Sequence, residues 1–186
     1  MFKSVALALV LAASVVCAAD DPSAFALNAV VIGGASRTDF AIGILEARAA
    51  VLPVLTVSAA PTIVAVEGGD TERQLRAALT VHLPLGVMRL DNRNMWVWND
   101  TGRTRYRNRV RLTAPAEVGG HALRPQLIGE VFYERGGPGW YRRLYGVGVG
   151  WDVSSSLTAD AYWTVQDDDG RDRASLFFLV LSARLR

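Results

Sequence analysis

Residues Arg103–Leu112 read "RTRYRNRVRL", with arginine at every odd position from Arg103 to Arg111. Between them stand Thr104, Tyr106, Asn108, Val110 and Leu112. Alternation with period two over this length marks a β-strand, whose successive side chains point to opposite faces. One face of this strand carries five guanidinium groups and the other is mostly apolar. Such a wall separates two environments, one that accepts clustered charge and one that does not.

The same alternation recurs along the chain. Leu75, Ala77, Leu79, Val81 and Leu83 oppose Gln74, Arg76, Ala78, Thr80 and His82. Leu157, Ala159, Ala161, Trp163 and Val165 oppose Thr158, Asp160, Tyr162, Thr164 and Gln166. Turn-forming stretches such as "GGAS", "EGGDTE", "NDTG", "APAEVGGHA", "ERGGPGW" and "DDDGRD" break the pattern. Nine breaks predict ten strands, at 24–33, 39–52, 55–67, 72–83, 87–98, 103–113, 123–134, 140–153, 156–166 and 173–185. Consecutive hairpins make an up-and-down meander in one domain, residues 20–186.

Residues 1–19 read as a secretory leader: Lys3, an apolar run from Val5 to Val16, then small residues up to Ala19. Cleavage there removes Cys17, the only cysteine, and Lys3, the only lysine. The mature chain would keep 19 arginines (20 Lys+Arg less Lys3) against 18 acids, without a thiol for a disulfide, nucleophile or metal site. A near-neutral balance is not the footprint of a nucleic-acid binder. After the leader no apolar run is long enough for a transmembrane helix.

Ten alternating strands fit either a soluble barrel, apolar within, or a transmembrane barrel, apolar without. Three features favour the membrane. Most strands reach the roughly 9–11 residues that a tilted strand needs to cross the hydrocarbon. The polar face carries arginine interspersed with carboxylates (Glu46, Arg48, Arg76, Arg89, Asp91, Arg93, Glu130, Glu134, Asp152, Asp160), as a sealed lumen requires. With the N-terminus in the periplasm, Trp98, Tyr106, Tyr133, Tyr141, Trp163 and Phe177 all point outward at one level, with Trp151 and Phe25 near the other rim. Aromatic rings gather where lipid meets water. The expected fold is therefore all-β: an up-and-down antiparallel transmembrane barrel with an arginine-rich lumen. It would reside in the outer membrane among lipid and lipopolysaccharide, with its oligomeric state left open.

The stretches "RTRYRNRVRL", "LRPQLIGEVFYE" and "WYRRLYGVGVGWDVSSSLTADAYW" resemble the bacterial family called domain of unknown function 2490. The likeness runs from about Asp91 to Arg186 and rests on Arg105, Arg107 and Arg109, then Glu130, then Arg142 or Arg143 with Gly146, Gly148 and Gly150. It implies an outer-membrane β-barrel of a Gram-negative bacterium and brings no activity.

The candidate site is a lumen charge network of Arg105, Arg107, Arg109, Arg111, Asp91, Glu130 and Glu134. Asp91 would lie opposite or diagonal to Arg109 and Arg111, and Glu130 near Arg105, Arg107 or Arg109. The stripe could be a track for anionic solutes, or a plug of ion pairs that stiffens the wall. The narrow lumen of ten strands favours the plug. Ser58 and His82 share the lumen face and suggest a lipid-hydrolysing barrel as an alternative, but no nucleophile elbow surrounds Ser58. A soluble lipocalin-like binder is the third reading. "QDDDGRD" lacks the ligand spacing of a calcium loop and reads as a polar turn, and His121 as a solvated turn residue. No cofactor is called for. Inward Gly146, Gly148 and Gly150 would leave room for the long arginines opposite or for a small passage, packing relief being the more economical reading. Asn94 and Asn108 fall on the lipid face, where they would bond each other, be turned in by a bulge, or meet another protein.

Overall fold

A computed structural model describes residues 25–35 and 39–185. The leader with Cys17 lies outside the described residues. The strands are β1 (Phe25–Ala35), β2 (Phe40–Leu52), β3 (Leu55–Val66), β4 (Glu72–Leu85), β5 (Met88–Asn99) and β6 (Thr104–Thr113). They continue as β7 (Ala116–Val118), β8 (His121–Arg135), β9 (Gly139–Asp152), β10 (Leu157–Asp168) and β11 (Ala174–Leu185). Each long strand pairs antiparallel with the one before it, β6 pairs with β8, and β1 pairs with β11. Ten strands thus close into an antiparallel transmembrane barrel, so that none of the ten long strands is left as an open edge.

The closing seam runs from Leu27 opposite Leu185 to Ala35 opposite Phe177. β1 therefore continues through Gly34 and Ala35, two residues past the strand end expected at 33 and into the expected turn. β7 is an addition: within "APAEVGGHA" it folds back on β8 as a small hairpin. Gly119 and Gly120 both hold positive φ, 59° and 77°, as a two-residue hairpin turn of the I′ kind demands. His121 consequently begins a strand.

One rim carries the ends of the described chain and the turns at 53–54, 86–87 and 153–156; we call it the terminal rim. The outer wall is apolar and exposed, with Leu75, Leu127, Trp163 and Phe177 each more than half accessible. A soluble fold would bury these side chains; hydrocarbon covers them in a membrane. Trp98, Tyr106, Tyr133, Trp163 and Phe177 do point outward in the half away from the terminal rim.

Tyr141 does not, contrary to the sequence reading. Phe132 pairs with Arg142 and Tyr133 with Trp140, so Tyr141 is the extra residue of a bulge in β9. Its ring packs 6.2 Å from that of lumen-facing Phe132. Trp140 takes the outward place, 5.3 Å from the Tyr133 ring and 6.2 Å from that of Tyr106. A bulge adds one residue and so reverses the facing of its neighbours.

Candidate functional site

Register brings the interior charges together. Asp91 pairs with Arg111, Arg93 with Arg109, Arg109 with Glu130 and Arg105 with Glu134. Side chains that share a face on paired strands stand about 5 Å apart, and a long arginine also reaches the diagonal neighbour.

In the half away from the terminal rim the interior is packed. Glu134 takes Arg103 at 3.2 Å and Arg105 at 3.4 Å, and Glu72 takes Arg105 at 3.2 Å. Arg142 binds Asp168 through two hydrogen bonds, 2.7 and 2.9 Å. The Arg107 guanidinium lies 4.6 Å over the Phe132 ring and donates to Glu130 from Nε, 3.0 Å away. Ala60, Thr62, Met95, Val97, Leu144 and Thr164 are buried among these groups. Glu130 thus faces Arg109 across the ladder yet bonds its diagonal neighbour Arg107.

Toward the terminal rim the interior opens into a cavity of about 760 Å³ that reaches the Ser154–Ser156 turn. Seven arginines line it (Arg48, Arg89, Arg93, Arg109, Arg111, Arg124 and Arg184) against Asp91, Asp152 and Asp160. Arg111 and Arg89 share Asp91 at 2.8 and 3.1 Å, and Arg124 binds Asp152 at 2.6 Å. Arg48 and Arg93 share Glu46 in the wall. Arg109 has no carboxylate within 4.0 Å among the described residues. Arg93 Nε and Asn28 Nδ2 are buried and have no acceptor among them either. The vestibule therefore holds surplus positive charge and unfilled donors together.

The expected pairing of Ser58 with His82 is not the one that forms. Ser58 accepts from Arg93 at 3.3 Å, while Thr56 Oγ1 stands 2.9 Å from His82 Nε2. His82 Nδ1 in turn meets Asp91 Oδ1 at 2.7 Å. This hydroxyl–imidazole–carboxylate chain has the connectivity of a hydrolytic triad. Two features weigh against that role. Asp91 is already shared by two arginines, and the ladder takes up the N–H groups of paired wall residues, which a preorganised oxyanion hole would need to aim at the reacting carbonyl. The chain more simply anchors Asp91 between β3, β4, β5 and β6.

The lumen glycines relieve packing as expected, but for other side chains than the arginines. A Cβ on Gly148 would stand 2.4 Å from the Tyr162 ring, and one on Gly150 2.2 Å from Asp160 Oδ1. The room belongs to the neighbouring strand β10, not to the arginines across the lumen. Tyr162 lies over Gly148 and its hydroxyl donates to Gln126 at 2.6 Å; Gln126 donates to Asp160 at 2.7 Å. In the "QDDDGRD" stretch, Asp167 and Asp168 lie in β10 and pair with Arg173 and Arg142.

No protein-family model matches the chain. No curated protein matches it either. Solved structures do. The NanC porin superposes with a TM-score of 0.53 at 10% identity, over 86% of this chain and 100% of that one. A bacterial polysaccharide outer membrane secretin gives 0.50 at 7% identity, over 89% of this chain and 67% of that one. The outer membrane protein Omp33 of Acinetobacter baumannii gives 0.43 at 8% identity, over 87% and 98% of the two chains. At these identities the likeness to the first two establishes the fold alone, a transmembrane β-barrel.

Proposed function

We propose that this chain is a non-catalytic outer-membrane barrel whose vestibule binds small anionic solutes, its other half being stiffened by ion pairs that narrow any passage. The observation that carries this reading is the surplus of arginine around a cavity in which Arg109, Arg93 Nε and Asn28 Nδ2 have donors to spare. A desolvated guanidinium needs an anionic partner, and a carboxylate or phosphate would supply bidentate acceptors. The same proposal includes export by the leader, a terminal rim facing the periplasm, and membership of the domain of unknown function 2490 family.

The test is anion binding by the purified, detergent-solubilised barrel. Inorganic phosphate or citrate should raise its unfolding temperature in a saturable way at constant ionic strength. Arg109→Gln should abolish the increment, and Arg173→Gln should keep it. An increment that follows ionic strength alone, or that survives Arg109→Gln, would refute the reading.

The hydroxyl–imidazole–carboxylate chain supports acyl hydrolysis as a second reading. A fluorophosphonate probe decides between the two: covalent labelling of Thr56, lost in His82→Gln, would make the barrel an enzyme.

A further inference from the structure

The outer wall of β5 and β6 holds a group of side chains that hydrocarbon does not accommodate. Asn92, Asn94 and Asn108 all point away from the lumen, near mid-strand and half-buried among their neighbours. Asn94 and Asn108 face each other across the ladder, and Asn92 is one step along the same face, opposite Val110. The amides bond each other. Asn94 Nδ2 donates to Asn92 Oδ1 at 2.8 Å, and Asn108 Nδ2 donates to Asn94 Oδ1 at 3.0 Å and to Asn92 Oδ1 at 3.2 Å. The Tyr106 hydroxyl also donates to Asn94 Oδ1.

The network does not close on itself. Among the described residues Asn92 Nδ2 donates to nothing and Asn108 Oδ1 accepts from nothing. Lipid tails can fill neither role, and an unfilled amide in hydrocarbon costs several kcal/mol. Headgroups sit at the rims, away from mid-strand. A patch with one surplus amide donor and one surplus amide acceptor is complementary to itself, which is the requirement of a two-fold interface. The wall beside it is also indented. Gly129, paired with Val110 and with Tyr145, faces outward with nothing within 4 Å of where a Cβ would stand. Small residues beside polar ones let packed walls approach closely in membranes.

We propose that this face is a homodimer interface, two copies of the chain meeting about an axis along the membrane normal through Asn92, Asn94 and Asn108. Asn92 Nδ2 of each copy then donates to Asn108 Oδ1 of the other, and the notch at Gly129 receives a side chain from the facing wall.

The test is crosslinking in native membranes. In a Cys17→Ser background the chain has no other cysteine, so a single introduced thiol reports its own surroundings. Val110→Cys stands on the proposed face, and Leu181→Cys stands on β11 across the barrel; both side chains are exposed, 39% and 38%. With a short bis-maleimide, Val110→Cys should give an adduct of twice the chain mass containing this chain alone, and Leu181→Cys should give none. Adding Asn92→Leu and Asn108→Leu removes both bonds of the symmetric pair. At bond strengths typical between transmembrane segments this weakens dimerisation about eightfold. Leucine suits a lipid-facing position, so the folded, fast-migrating band should persist. No excess adduct at Val110→Cys over Leu181→Cys would overturn the proposal, independently of whether the leucine variant folds. So would an adduct containing a different protein, or an adduct yield unchanged by the leucine pair.

Discussion

Glu130→Gln should be among the most damaging conservative substitutions in the barrel. Glu130 is 6% exposed, accepts from Arg107 Nε at 3.0 Å, stands 2.8 Å from Arg107 Nη2 in the same ion pair, and faces Arg109 across the ladder. The amide keeps the shape and one acceptor but loses the charge. Arg107 and Arg109 would then repel one another, with Arg93 and Arg76 close by. Removing one partner of a buried pair typically costs about 3–5 kcal/mol, because the remaining charge is uncompensated. Urea titration of the detergent-solubilised protein, read as loss of the fast-migrating folded band, measures the change. Arg107→Gln added to Glu130→Gln should return part of the loss, since the stranded charge is gone. Arg173→Gln, whose side chain is 69% exposed and 3.5 Å from Asp167, should return none. A loss below about 1 kcal/mol for Glu130→Gln, or equal rescue by both arginine changes, would refute the view that the packed half is held by its ion pairs.

Inside and outside are tested by adjacent residues. Leu79→Arg, on the outer face near mid-strand, should destabilise by about 2–4 kcal/mol, and Thr80→Arg, facing the vestibule, by clearly less in the same titration. Gly148→Ala should destabilise by about 1–3 kcal/mol, because the methyl group would displace the Tyr162 ring; Gly148→Ala combined with Tyr162→Ala should then cost no more than Tyr162→Ala alone.

Strand positions were readable in the sequence because a wall between lipid and a charged lumen enforces period two at nearly every residue. That constraint fails where the wall bends. Nothing in "GGPGWYRRLYG" distinguishes a bulge at Tyr141 from an uninterrupted strand, since both Trp140 and Tyr141 are aromatic and suit a lipid boundary. Site partners were readable only to the nearest face. Parity puts Thr56 and Ser58 both inward, and the choice between them follows from the β3–β4 register, in which Thr56 pairs with Thr80 and Ser58 with Ala78. Thr56 is thereby set diagonal to His82. The outward amides were visible as anomalies at Asn94 and Asn108. Their hydrogen bonds depend on Asn92, whose role appears only when β5 and β6 are aligned.

The arginine stripe answers to two demands within one strand. Arg105 and Arg107 belong to the packed half, while Arg109 and Arg111 line the vestibule, and the division falls at Glu130. Glu130 bonds Arg107, and that choice leaves Arg109 without a carboxylate. The packed half and the proposed anion site are therefore coupled through one side chain. Arg107→Gln should free Glu130 to turn to Arg109, its partner across the ladder. The substitution would then weaken phosphate or citrate binding, although Arg107 does not line the cavity. Saturable thermal stabilisation by anion, measured for Arg107→Gln and for Arg107→Gln with Glu130→Gln, separates this coupling from a general loss of positive charge. If Glu130 is the switch, the double variant should bind better than Arg107→Gln alone, and by more than Arg109→Gln with Glu130→Gln exceeds Arg109→Gln. Equal anion binding by Arg107→Gln and by the unmodified chain would show that Arg109 is free for some other reason.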